Sequence, residues 1–260
     1  MVLRPFLNEC HMAGHSKWKQ IKHYKAATDK KRGALFTKLI REITMAAKLG
    51  GGDPGGNARL RLAIETARGS SMPKENIDRA VKKGTGELEG VDYQEVTYEG
   101  YGPGGVALLI DAVTDNPTRT VAEVRSKMSR GGGTVGTPNS VGWMFEKKGQ
   151  LTIEAAGKDE DAMMEAALDA GAEDVQREDD RFLVSTTPSD FHIVQEGLKS
   201  KGVQVVEAEL AMVPKNTVQI GGKEGDSLLK LLETLEDLED VQKVWANFDM
   251  DVSEMARAEG

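Results

Sequence analysis

The stretch HSKWKQIKHYKAATDKKRG, His15 to Gly33, holds seven cations against one anion, Asp29. Lys17, Lys19, Lys22, Lys25, Lys30, Lys31 and Arg32 recur every one to five residues, with Trp18 and Tyr24 among them. Closely spaced lysine and arginine side chains neutralise phosphates and release their counterions. Aromatic rings between them can stack on exposed bases, although such rings more often anchor a helix on a core. Lys38, Arg41, Arg59, Arg61, Lys82 and Lys83 extend the pattern, and all of these cations, with Trp18, are candidate nucleic-acid contacts.

Other constellations are weaker. Gly100-Tyr101-Gly102-Pro103-Gly104-Gly105 matches G-x-G-x-x-G. A dinucleotide site needs those glycines after a strand and at the start of a helix. Here an apolar run, Val106 to Ile110, follows, so the cofactor reading fails. A tight turn between the helical module and the sheet is expected, with Gly102, Gly104 and Gly105 as a possible backbone contact for phosphate. The GGG runs at 50–52 and 131–133 lack the Lys-Ser/Thr pair of a phosphate loop. The four histidines and the single cysteine, Cys10, have no metal-ligand spacing. No nucleophile elbow is present. No cofactor, metal or catalytic activity is expected.

The elements that must position the basic residues follow from periodicity. Phe36, Leu39, Ile40, Ile43 and Ala47 form one helical stripe, ended by Gly50-Gly51-Gly52-Asp53-Pro54. A second helix is expected over Asn57–Arg68. A third runs from Pro73 to Lys83, with Gly84 placed to end it. Their four-residue joint resembles a helix-turn-helix, which would turn Lys74, Asn76, Arg79, Lys82 and Lys83 toward a duplex. Trp18 and Ile21 are expected to pack on this bundle. Beyond Gly86, strands and helices alternate. Strands are expected near 96–98, 106–110, 181–185, 203–213 and 241–248, with one or two over 141–153 that turn near Lys148-Gly149. Helices are expected near 120–128, 159–170, 189–200 and 226–238. The polar run Glu178-Asp179-Asp180 reads as a solvated loop.

The fold class expected is α+β: an N-terminal three-helix bundle, then two ferredoxin-like, split-βαβ domains, one inserted in the other. The divisions fall at 1–11, an extension; 12–89, the basic helices; 90–149 with 207–250, a discontinuous domain; and 150–206, its insert.

Charge sharpens the division. The chain of 260 residues carries a formal net charge of -8. Met12 to Lys83 hold 17 Lys and Arg against 6 Asp and Glu, whereas residues 84–260 hold 16 against 35. A basic module on an acidic body points to a polyanionic partner. With one cysteine and no apolar run long enough to span a bilayer, a cytoplasmic protein without membrane or small-molecule partner is expected.

From Met12 onward the sequence resembles the YebC/PmpR family of bacterial regulators, whose eukaryotic relatives include a mitochondrial translational activator of cytochrome c oxidase. The likeness rests on MAGHSKW (12–18), IKH (21–23), KRGALFTKLIREI (31–43), GGGDP (50–54), NARLRLAI (57–64), MPKENIDRA (72–80), KGTGE (83–87), YEGYGPGGVA (98–107) and TDNPTRTVAEVR (114–125). Two features depart from the family pattern: residues 1–11 precede its usual start, and Asn139 stands where glycine is expected. The resemblance implies a helical domain followed by two α+β domains. It also implies a non-enzymatic regulator of gene expression, either DNA-binding and transcriptional or acting on ribosomal RNA in translation through proline-rich stretches. A protein-binding adaptor is the third reading.

Overall fold

The computed structural model describes residue 18, residues 29–178, 180–251 and 253–255. Three helices come first: α1 (Asp29–Gly50), α2 (Ala58–Gly69) and α3 (Lys74–Gly84). Their apolar stripes meet in one cluster built on Leu39, Ile43, Ala47, Leu60, Ile64, Ile77 and Ala80. Burying a leucine such as Leu60 fully contributes about 1.5–3 kcal/mol. Asn57 caps α2 by accepting from Leu60 N at 3.0 Å. Its amide also donates to Ala46 O at 2.7 Å and Gly51 O at 2.9 Å, so the glycine connector is pinned to both helices. Gly84 does not end α3 by an unusual backbone; it lets the helix approach α1. A Cβ there would lie 2.4 Å from Thr44 O.

A first sheet contains β1 (Gln94–Tyr101), β2 (Ala107–Thr114), β3 (Thr134–Val135) and β9 (Val241–Ala246), in the order β3-β1-β2-β9 with every pair antiparallel. Helices α4 (Pro117–Arg130) and α7 (Gly222–Glu236) cover one face. Alternation along β2 decides what each face buries. Leu108 and Ile110 join Val124, Met128, Leu228 and Leu232 beneath the helices. Ala107 and Leu109 point the other way, to Val141, Phe145, Ala211 and Trp245.

The second sheet is formed by β4 (Phe145–Glu154), β5 (Asp174–Glu178), β6 (Arg181–Thr186) and β7 (Val205–Pro214), with α5 (Glu160–Asp169) after β4 and α6 (Phe191–Ser200) after β6. The βαββαβ succession and the all-antiparallel order β5-β6-β4-β7 are the ferredoxin-like, split-βαβ arrangement. Its core contains Leu151, Ile153, Phe182, Val184, Val194 and Leu198, and Leu62 of α2 packs against it. A short parallel pair, β8 (Val218–Gln219) and β10 (Phe248–Asp249), completes the α+β fold.

Several local expectations need correction. The sheet spans 145–214, wider than 150–206, because β4 and β7 pair from Phe145↔Pro214 to Ile153↔Val205. No turn occurs at Lys148-Gly149. Gly149 is paired with Thr186 and Leu210 inside the sheet, where a Cβ would meet Thr186 Oγ1 at 2.3 Å. Asp174–Glu178, polar in sequence, is an edge strand whose only buried residue is Val175. The turn holding Gly102, Gly104 and Gly105 joins β1 to β2 as a hairpin, rather than joining the helices to the sheet. Gly104 and Gly105 have φ of 68° and 74° there, which glycine adopts without steric cost.

Candidate nucleic-acid interface

The structure sorts the predicted cations by whether the protein itself has claimed them. Arg41 is almost wholly buried. Its Nη1 donates to Asp240 Oδ1 at 2.8 Å and to Glu239 O at 2.6 Å, and Nη2 donates to Glu239 Oε1 at 2.7 Å. Its guanidinium also lies 5.5 Å from the Tyr93 ring centre. Arg59 is held bidentately by Glu42, at 2.8 and 3.0 Å, and also by Glu95. Burial alone would lower the Arg59 pKa, but hydrogen bonds to Glu42 and Glu95 raise it instead. Arg61 donates to Pro54 O at 2.9 Å, and Lys38 to Glu236 O. These four are structural fasteners in this conformation. Each guanidinium or ammonium already has an internal acceptor, which a phosphate would have to displace.

The expectation for Trp18 is corrected. It is 1% exposed and packs with Tyr98, Val106, Leu108 and the leucines of α7, in the first sheet's core rather than the helix bundle's. It therefore offers no face to a base. Lys17, Lys19, Lys22 and Lys25 lie outside the described residues. Lys30 and Lys31 stand in the first turn of α1.

What is left over is a smaller set. Arg32, Arg68, Lys74, Arg79, Lys82 and Lys83 are exposed, and their side chains have no hydrogen-bond or ion-pair partner among the described residues. Four of them belong to α3, which carries only Glu75 and Asp78 in opposition. Arg79 and Lys83 lie four residues apart on one side of the helix, Lys74 and Lys82 flank Asp78 at the same spacing, and the apolar stripe of Ile77 and Ala80 faces the core. Lys82 and Lys83 sit in the last turn, where cations suit the helix dipole. Arg68 has no distinguishing signal in the sequence, and Lys74 and Arg79 have only the helix-turn-helix likeness. What singles out all three is the lack of any acidic acceptor once the helices are packed.

Asp240 organises the junction behind this surface. Its carboxylate accepts from Arg41 and Arg119 at 2.8 Å each, Thr120 Oγ1 at 2.6 Å and Thr114 Oγ1 at 3.1 Å. Burial would raise its pKa, but the hydrogen bonds from Arg119 and Thr120 and the charges of Arg41 and Arg119 hold it below the usual carboxylate range. A cleft of about 240 Å³ opens beside it, lined by Arg41, Asp115, Arg119, Glu123, Glu239 and Asp240. Four carboxylates against two guanidiniums make it unsuited to phosphate.

The hairpin glycines are partly committed too. Gly102 N donates to Val106 O at 2.8 Å and Gly105 N to Gly102 O at 3.2 Å, so the two N–H groups serve the turn. Farther along, Asn139 has φ of 65°, a left-handed conformation that asparagine tolerates better than most side chains, which explains how it fills a place expected for glycine. Among the described residues no helix is long and apolar enough to cross a membrane. No group of three or more His, Cys, Asp or Glu side chains among them is placed to hold a metal ion.

A basic helical module joined to two antiparallel sheets, one of them ferredoxin-like, defines the α+β class, and comparison gives the family. Residues 16–87 match the TACO1/YebC protein N-terminal domain, and residues 93–248 match the TACO1/YebC second and third domain. The chain belongs to the TACO1/YebC family. It is 66% identical over 247 residues to a "Probable transcriptional regulatory protein" of Gemmatimonas aurantiaca, covering 95% of this chain and 100% of that one. A protein of the same description from Acidithiobacillus ferrooxidans is 56% identical, with 95% and 99% covered. A crystal structure of a conserved hypothetical protein from Aquifex aeolicus superposes with a TM-score of 0.82 at 47% identity, covering 90% of this chain and 97% of that one.

Proposed function

We propose that the chain is a non-enzymatic, nucleic-acid-binding regulator of gene expression, whose first reading is a DNA-binding transcriptional regulator acting through the helical module. One observation carries this: the exposed cations of α3, with Arg32 and Arg68, remain unneutralised while neighbouring arginines are locked to carboxylates. Four free cations on one short helix supply phosphate contacts without base readout. Lys17, Lys19, Lys22, Lys25, Lys30 and Lys31 extend the set in sequence. Relatives named as transcriptional regulators support the reading.

The competing reading, ribosomal RNA as the target, uses the same electrostatics. The decisive experiment pairs retardation of duplex DNA in the presence of random competitor with sedimentation of cell extract. If about five phosphates of a duplex are neutralised, log affinity falls against log salt with a slope near -4.5. Retarded duplex that survives competitor supports transcription. Co-migration with ribosomes, abolished when the free cations are removed, supports translation. Binding of neither polyanion overturns both and leaves a protein adaptor.

A further inference from the structure

Three tryptophans occur in the chain. Trp18 and Trp245 are 1% and 4% exposed, whereas Trp143 is 64% exposed. It stands in the short helical turn Gly142–Met144, between the loop after β3 and the start of β4. That loop is fixed from beneath. The Glu99 carboxylate on β1 accepts from Asn139 N, Val141 N and Gly142 N, each at 2.7 Å. Tyr101 Oη donates to Ser140 O at 3.3 Å, and the Trp143 indole Nε1 donates to the same oxygen at 3.2 Å. The ring's single polar atom is therefore satisfied by the protein, and what remains for the outside is π surface on an anchored backbone. Lys215 Nζ donates to Trp143 O at 3.1 Å, so an exposed ammonium stands next to the ring's own peptide. Glu99 keeps its negative charge, but its carboxylate is turned into the loop and held there by its three N–H donors.

We infer that Trp143 is a stacking platform for an unpaired nucleobase, with Lys215 beside it for the adjoining phosphate once its ammonium exchanges the Trp143 carbonyl for that acceptor. An indole held in one orientation loses little freedom on binding, and base–aromatic stacking tolerates any sequence because every base has a π face. The neighbouring valine and phenylalanine, Val141 and Phe145, are buried, so collapse of the loop does not account for the ring's position. This inference rests on the nucleic-acid-binding reading and narrows it: the ligand includes a single-stranded or looped segment, and the ring supplies at Trp143 the stacking that the sequence suggested for Trp18.

The full chain is titrated with oligouridine and, separately, with a duplex of random sequence, following tryptophan fluorescence and affinity. Oligouridine quenches the exposed tryptophan, and the quenching is absent in Trp143→Phe; quenching that persists in that variant overturns the platform. Trp143→Ala binds oligouridine roughly ten-fold more weakly than the parent, in line with the loss of one stacked base. Its salt slope and duplex affinity stay unchanged, and Trp143→Phe retains most of the affinity. Unaltered oligouridine affinity in Trp143→Ala, with the salt slope intact, overturns the platform and leaves the electrostatic reading standing. Failure of the parent to bind either nucleic acid overturns both.

Discussion

Arg41 and Asp240 lie 199 residues apart in sequence and 2.8 Å apart in space, with both side chains almost excluded from solvent. One belongs to the basic helix and the other to the turn before β9, so the pair fastens the helical module to the first sheet. Arg119, Thr114 and Thr120 converge on the same carboxylate. A buried charge pair of this kind contributes little against an apolar substitute, but removal of one partner leaves the other uncompensated.

Asp240→Asn is therefore expected to destabilise the protein by about 3–5 kcal/mol. Denaturant titration checks this, with the midpoint shifting at constant slope if unfolding stays two-state. A loss below about 0.5 kcal/mol, the range of ordinary surface substitutions, would show that the convergence of donors on Asp240 is energetically idle.

The acid limb of stability follows from two carboxylates. Asp240 and Glu99 both sit below their ordinary values of 3.8 and 4.5, burial being outweighed by Arg119 and Thr120 in one case and by the backbone donors of the 139–142 loop in the other. In the window below those ordinary values the unfolded chain binds more protons than the folded one, so stability rises with pH through it. The contribution is fully present above the ordinary values and is lost as pH falls through the lowered ones. Urea midpoints measured from neutral pH downward should fall steeply for the parent and less steeply for Asp240→Asn and Glu99→Gln. Parallel curves would refute the assignment.

Two glycines of the helical module should respond with opposite sign. Gly84→Ala places a methyl 2.4 Å from Thr44 O and 2.7 Å from Ala47 Cβ, and forcing α1 and α3 apart is expected to cost about 1–3 kcal/mol. At Gly33, within α1, nothing lies within 4 Å of the added carbon, and alanine there should stabilise by about 0.5–1 kcal/mol. Thermal melts of the two variants test the pair.

Free and committed cations should separate in binding assays. Lys82→Ala with Lys83→Ala should weaken duplex binding and reduce the salt slope by about 0.9 for each phosphate that is no longer neutralised. Arg59→Ala should instead lower the melting temperature, since it strips Glu42 and Glu95 of their shared partner, and leave the salt slope near that of the parent. Equal slopes for all three proteins would deny α3 a part in the interface.

Local structure was readable along much of the chain because its signals are local. The stripe from Phe36 to Ala47 specified α1, Asn57 marked the start of α2, and Pro73 stood just before α3. Reading failed where a long-range neighbour decides. Gly149 looked like a turn because glycine usually breaks a strand, yet here Thr186 and Phe191 fill the space that a Cβ would need. Asp174–Glu178 gave no strand signal because an edge strand needs only backbone partners, which β6 supplies. At the interface, Arg41, Arg59 and Lys82 were equivalent in sequence: three cations in a basic block.

By itself the sequence determined the α+β class, the three basic helices, the charge division between module and body, and the family likeness, since each depends on residue type and short-range spacing. Only the tertiary structure decided which cations are exposed, that Trp18 is core while Trp143 is on display, and that Asp240 ties the module to the sheet. Whether a charge is free for a partner depends on acceptors brought within about 3 Å by folding, and Arg41's lie 198 and 199 residues away.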